Sequence, residues 1–274
     1  MNTIMTRVSA GASRPFRLLH ISDTHLTLAD DRDDKRKNEL AAGRRPAFAN
    51  AEKNLAEACE MARRGNMPIV HTGDLIDFVS EANLDAAKKF MSENDVFFTA
   101  GNHEFSLYVG EAFEDEAYRN QSLAHVQESF PDDLRFCTRT INGVKLIGID
   151  DSYYRFDKAQ LDALKKEVGE GLPIILFMHN PLHEPELYAL AMTKNPCAYL
   201  TSTPEELMQS YDDYRYRQQK ADEITLEATR YIESCPLIKA IFAGHLHHDY
   251  DGIVDDHLPQ YVTGTQTARI ITVE

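Results

Sequence analysis

Cysteine is scarce in this chain of 274 residues: Cys59, Cys137, Cys197 and Cys235 stand far apart and form no C-x-x-C pair. That excludes a disulfide framework and a thiolate zinc site, and points to reduced, buried thiols in a cytoplasmic protein. No run approaches the roughly 18–20 apolar residues of a membrane span. The start, Met1 to Pro15, lacks an apolar h-region, so no secretory signal is expected. Basic residues are outnumbered, 29 Lys+Arg against 44 Asp+Glu, for a formal charge of −15. Such a surface repels phosphate backbones and argues against a dedicated nucleic-acid binder. Internal repeats and low-complexity linkers are also missing. What is present is a 43% hydrophobic fraction, ample for a core, and 11 histidines. With thiolates set aside, any metal must be sought among His, Asp, Glu and Asn.

Short apolar, β-rich runs recur at Phe16–Ile21, Pro68–His71, Val96–Ala100, Val144–Ile149, Pro173–Met178 and Leu237–Ala243. They read as strands buried on both faces. Amphipathic helical stretches lie between several of them. Phe48, Leu55, Cys59 and Ala62 share one face at about 46–64, and Leu161, Leu164 and Val168 share one at 157–168. Asp157 and Gln160 make a capping box there. Residues 81–94 and 218–234 also read as helices. Asn142-Gly143 between two β-prone runs marks a hairpin, and 259–273 reads as short strands. The fold expected is α/β with mixed sheets and helices on both sides. Three stretches look irregular. Residues 1–14 read as a mobile tail. Residues 28–45 carry five acids and six bases and read as a solvated loop. Residues 180–217 place five tyrosines among acids and prolines and read as an excursion or lid over the body, which begins at residue 15.

The chemistry sits where the strand-like runs stop. They end in Ser22-Asp23-Thr24-His25, Thr72-Gly73-Asp74, Gly101-Asn102-His103-Glu104, His179-Asn180 and Gly244-His245-Leu246-His247. In open α/β sheets ligands bind beyond the carboxyl ends of strands, so five polar clusters at five such ends can converge. Asp, Asn and His suit divalent Mn, Fe, Zn or Ni. Asp23, His25, Asp74, Asn102, His179, His245 and His247 are more candidate ligands than one ion needs, and two ions sharing a carboxylate would use them well.

D-x-H, G-D, G-N-H-E, a His after a strand and G-H-x-H, in this order over roughly residues 16–270, resemble the calcineurin-like metallophosphoesterase superfamily. The resemblance implies a four-layer αββα sandwich with two mixed sheets and a dinuclear centre. Asp23, His25, Asp74 and His247 would then bind one divalent ion, and Asp74, Asn102, His179 and His245 the other, with Asp74 as the bridge. His103 matches the histidine that approaches substrate or leaving group without binding metal, and Asn102 would face substrate too. Two divalent ions less two carboxylates leave about +2, so the centre attracts phosphate on an acidic chain. The implied reaction is in-line hydrolysis of a phosphate ester by metal-activated hydroxide, without a phosphoenzyme.

The opening H-I-S-D-T-H-L is similar to the bacterial branch that holds class III cyclic-nucleotide phosphodiesterases. The first expectation is therefore a phosphodiesterase acting on a small diester; the alternative is a protein or nucleotide phosphomonoesterase. Asp77 stands where purple acid phosphatases carry a tyrosine ligand, which excludes a tyrosinate–iron(III) site. Non-catalytic scaffolds of this superfamily typically lose ligands, whereas this chain keeps all seven and His103. A homodimer is expected from the resemblance alone. Among the other histidines, His20 and His71 read as core or supporting groups, His248 as a flank, and His125 and His257 as having no motif. His183, four residues past His179, is a candidate for touching substrate. Asp77 reads as a helix cap or a support of the site, and Glu104 as a structural partner.

Overall fold

The computed structural model of the chain describes residues 1–110 and 112–274. The strands are β1 (Asn2–Val8), β2 (Phe16–Ile21), β3 (Ile69–His71), β4 (Val96–Phe98), β5 (Phe136–Ile141), β6 (Val144–Ile149), β7 (Ile174–Phe177), β8 (Ile238–Ala243), β9 (Tyr250–Val254), β10 (Leu258–Val262) and β11 (Thr267–Val273). The helices are α1 (Lys35–Arg44), α2 (Ala51–Gly65), α3 (Glu81–Glu93), α4 (Glu116–Gln127), α5 (Lys158–Val168), α6 (Pro185–Met192), α7 (Asp213–Gln219) and α8 (Glu223–Ser234).

One sheet runs β1-β11-β2-β3-β4 and the other β5-β6-β7-β8-β10-β9. Both mix parallel and antiparallel pairs. The strands are apolar on both faces because both faces are covered. Leu18, Val70 and Phe97 of the first sheet meet Ile175, Phe177 and Phe242 of the second in one buried cluster. On the outer face of the first sheet, Leu19, Ile21 and Ile69 pack with Ala58 and Ala62 of α2 and with Leu84, Ala87 and Phe90 of α3. On the outer face of the second, Ile147, Leu176 and Ile241 pack with Leu161 and Leu164 of α5 and with Ala228 and Ile232 of α8. These layers make the αββα sandwich. The Asp157–Gln160 capping box and the hairpin at Asn142-Gly143 both form as the residues suggest. Among the described residues no helix is long and apolar enough to cross a membrane.

Four expectations need correction. Residues 2–8 are not a tail: β1 pairs in parallel with β11, from Asn2–Thr267 to Val8–Val273. Val8 enters the core between the sheets, and Thr6 Oγ1 accepts from the buried Arg269 at 2.7 Å. The segment is ordered by a partner at the far end of the chain, which local reading cannot see. Residues 28–45 are not all loop, since Asp34 caps α1 through the N–H of Lys37 at 2.8 Å. The helix expected at 46–64 begins only at Ala51, which frees Phe48 from its apolar face. The helix expected at 218–234 is two helices, because Asp222 caps a new one through Thr225 N–H. Residues 180–217 carry their own small core, in which Leu187, Leu200, Met208 and Tyr211 pack on Leu246 and Val262 of the body.

Candidate metal centre

The five motifs follow β2, β3, β4, β7 and β8. The first three strands run parallel, as do the last two, so their carboxyl ends gather in one region. Beyond those ends the backbone turns sharply. Asp23, His25, Asp74, His245 and His247 all have positive φ, between 53° and 68°. Non-glycine residues rarely adopt this left-handed conformation, which costs of order 1–3 kcal/mol per residue and survives only where the surroundings enforce it. Here the enforcement is backbone pairing between motifs: Asp23 N–H donates to Gly73 O at 3.0 Å, and His25 N–H to Asp74 O at 2.8 Å. Glu104 completes it. Its fully buried carboxylate accepts the N–H groups of Asp74 at 2.7 Å, Leu75 at 2.8 Å, Ile76 at 3.2 Å and Gly101 at 2.7 Å. Glu104 is thus the structural partner expected. Glu104→Ala should lower unfolding stability by about 3 kcal/mol or more in a urea titration, because several buried N–H groups lose their acceptor; a loss under about 1 kcal/mol would show that the clamp is dispensable.

Two glycines are required by close approach. A Cβ on Gly101 would stand 2.3 Å from Asp74 Oδ1 and 2.7 Å from His179 Cε1, and one on Gly244 would stand 2.5 Å from Asp23 Oδ2.

Six of the seven candidate ligands fall into two close groups. Asp23, His25 and His247 bring donor atoms within 4.8 Å of one another, as do Asp74, His179 and His245. Asp74 joins the two groups: its Oδ2 lies 3.3 Å from His179 Nε2 and 3.6 Å from His25 Nε2. Asn102, in the loop after β4, lines the same cavity as Asp74 and His245, and its Oδ1 is buried without a hydrogen-bond partner. Outer partners set the imidazole tautomers. His25 Nδ1–H donates to Asp77 Oδ1 at 2.9 Å and His179 Nδ1–H to the Thr72 carbonyl at 2.7 Å. In the neutral rings both Nε2 atoms therefore turn lone pairs inward. They face His247 Nε2 and His245 Nδ1, each at 3.0 Å.

The charges ask for cations. Burial raises the Asp23 carboxyl, with Asp74 adding to it. Burial opposes a charged His179, yet Asp74 and Asp23 push it up to about 10, so the carboxylates draw positive charge in. Burial lowers His25, His245 and His247, the last to about 4, leaving them neutral donors at neutral pH. Buried carboxylates, inward lone pairs and an unpartnered amide oxygen fit divalent metal ions.

Several supporting residues carried no sequence signal. Asp77 supports the site and is not the helix cap, which is Ser80. Its carboxylate holds His25 and is clamped by Arg44 of α1, whose Nη2 donates to Oδ1 at 2.8 Å. Its carbonyl accepts His103 Nδ1–H at 2.7 Å. Arg44 came from the stretch read as solvated loop. Phe48, freed from α2, stacks on His25 with ring centroids 4.2 Å apart. Tyr154, at φ 62°, places its hydroxyl 2.8 Å from His245 Nε2, the nitrogen facing away from His179. Asp151 accepts the N–H groups of His179 and Asn180, each at 3.0 Å, and so fixes the loop after β7.

The remaining histidines separate cleanly. His20 bonds Thr72 and Thr263 inside the core, and His71 bonds Thr24, as supporting groups should. His248 turns to the Leu246 carbonyl. His125 and His257 lie at the exposed surface near Glu81 and Asp255. His183, a candidate for touching substrate, packs its ring 5.8 Å from Tyr188 and is not among the described residues that line the cavity over the centre. That cavity measures about 860 Å³ and is lined by Asp74, Asn102, His103, His245 and His247 together with Tyr154, Tyr199, Tyr214 and Arg215.

A family model described as calcineurin-like phosphoesterase matches residues 16–249 of the chain. Among solved structures, the chain is similar to a dimetal phosphatase from Danio rerio at 13% identity, covering 91% of this chain and 88% of that one with a TM-score of 0.49. It is similar to the phosphopantetheinyl hydrolase of Mycobacterium tuberculosis at 13% identity, 95% and 90% coverage and a TM-score of 0.44. A putative 5′-nucleotidase from Staphylococcus aureus aligns at 15% identity and a TM-score of 0.44 over 92% of this chain but 49% of that one. No curated protein matches.

Proposed function

The chain belongs to the calcineurin-like phosphoesterase family and is a metal-dependent phosphoesterase; from that premise we propose that it hydrolyses small phosphate diesters at a dinuclear centre built from its seven candidate ligands. Asp23, His25, Asp74 and His247 would hold one divalent ion, and Asp74, Asn102, His179 and His245 the other. When bound, such a pair supplies Lewis-acid polarisation of the phosphate and a hydroxide nucleophile near neutral pH. The observation that carries the reading is Asp74, whose carboxylate touches the imidazoles of both groups.

The chain's own residues do the rest. His103 donates through Nδ1 to Asp77, which fixes its ring and leaves Nε2 to hand a proton to the leaving oxygen. Burial opposes a charged His103, but the carboxylates of Asp74 and Asp77 push it up, which favours the protonated ring. Asn102, buried beneath the cavity, orients the phosphate beside it. The four free cysteines, three of them buried, fit a reducing, cytoplasmic setting.

The diester preference rests on the opening motif at 20–26, and a phosphomonoesterase is the second reading. With Mn²⁺-loaded protein, turnover of bis(p-nitrophenyl) phosphate should exceed that of p-nitrophenyl phosphate. A ratio well below one assigns the monoester reading instead.

A further inference from the structure

The cavity that the site histidines line also carries a cation that the hydrolytic chemistry does not use. Arg215, half-buried in α7, lies between two aromatic faces, with its guanidinium carbon 5.1 Å from the Tyr199 ring centroid and 5.0 Å from that of Tyr214. Its side-chain hydrogen bond is to a neutral group, the Gln218 amide oxygen, at 2.7 Å. No carboxylate comes within ion-pair distance of it among the described residues, and most of its fork of donors stays open.

The neighbouring acids are otherwise engaged or face water. Asp212 caps α7 through the Arg215 N–H at 2.8 Å, Glu114 accepts from Gln218 at 2.8 Å, and Asp213 is exposed. The flanking tyrosines are tied down. Gln219 receives the Tyr199 N–H at 3.1 Å, and the Tyr214 hydroxyl donates to the Ala112 carbonyl at 3.2 Å. A guanidinium held over two rings, with no carboxylate bonded to it among the described residues, is preorganised for an anion.

Its place gives the spacing. Tyr199 stacks edge-on with His245 at 5.7 Å, so one tyrosine ring separates the metal-site imidazole from Arg215. Lys194 lines the same cavity and adds a second cation, beside the acids Glu114, Asp212 and Asp213. Two cations suit a dianion better than a carboxylate.

We propose that Arg215 binds a second phosphate group on the substrate, about a sugar's width from the phosphate held over the histidines, and so selects esters that carry two phosphates. This rests on the phosphoesterase reading of the centre. Residues 180–217 then supply substrate selection to the body's chemistry.

Non-hydrolysable phosphonates test it without turnover. Propylphosphonate and propane-1,3-diylbisphosphonate are titrated calorimetrically into the Mn²⁺-loaded protein at fixed ionic strength. The bisphosphonate should bind about tenfold more tightly or better. Arg215→Gln should cut that preference to about threefold or less, and Arg215→Lys, which keeps the charge but not the fork, should fall between. Equal affinity in the unmodified protein overturns the proposal, whatever the variants do, and so does a preference that Arg215→Gln retains. Release of p-nitrophenol by the unmodified protein reads the phosphoesterase assignment separately. An active protein without the preference overturns the Arg215 proposal alone. An inert protein with the preference overturns the assignment and keeps the anion site.

Discussion

Asp74→Ala should abolish turnover, by about a thousandfold or more, and strip both ions from a chain that still folds. The carboxylate is in contact with both sets of imidazoles, 3.6 Å from His25 and 3.3 Å from His179. Its other oxygen accepts the His103 N–H at 2.9 Å, so its loss also loosens the proton donor. Replacing a residue of one set alone, such as His247, should instead leave the other ion in place. Elemental analysis after gel filtration and the rate of p-nitrophenol release measure both effects, with circular dichroism as the check on folding. An Asp74→Ala protein that keeps its full metal content contradicts the bridging assignment.

His103→Asn should lower turnover by about a hundredfold or more while metal content stays near that of the unmodified protein. His103 does lie within 4.8 Å of donor atoms on His25 and Asp74, so metal loss in this variant would make it a ligand and overturn the assignment. The pH profile gives a second readout. Asp77 contributes negative charge that favours the protonated ring. Replacing it by Asn removes that charge, so the His103 pKa falls. The alkaline limb of the pH–rate profile should move to lower pH in Asp77→Asn. An unmoved limb would mean that another group sets it.

The placement of the chemistry was legible because it is local. Asp23 and His25, or His245 and His247, need only two residues of separation and a preceding apolar run to be recognised as one strand end. Other features were not legible, for three different physical reasons. Arg44 sits in a stretch whose opposite charges nearly cancel, and nothing in its neighbourhood announces that it reaches Asp77, 33 residues away. Tyr154 and Asp151 act through contacts with His245 and the loop after β7, which depend on how the second sheet assembles. The left-handed backbone at five candidate ligands goes against residue preference, and the pairing of loops from different strands enforces it. β1 shows the same limit at the scale of the fold, since a seven-residue polar strand acquires its order only from β11. His183 is the opposite case. Nearness in sequence to His179 suggested a shared site, but His183 packs against Tyr188 and is not among the described residues lining the cavity.

The most direct test of a dinuclear phosphoesterase centre is a metal titration. Chelated protein is titrated with Mn²⁺ while p-nitrophenol release from bis(p-nitrophenyl) phosphate is followed. The account predicts an inactive chelated protein whose rate climbs with added metal and levels off at about two equivalents per chain. A plateau at one equivalent, or a rate indifferent to chelation and re-addition, would contradict it.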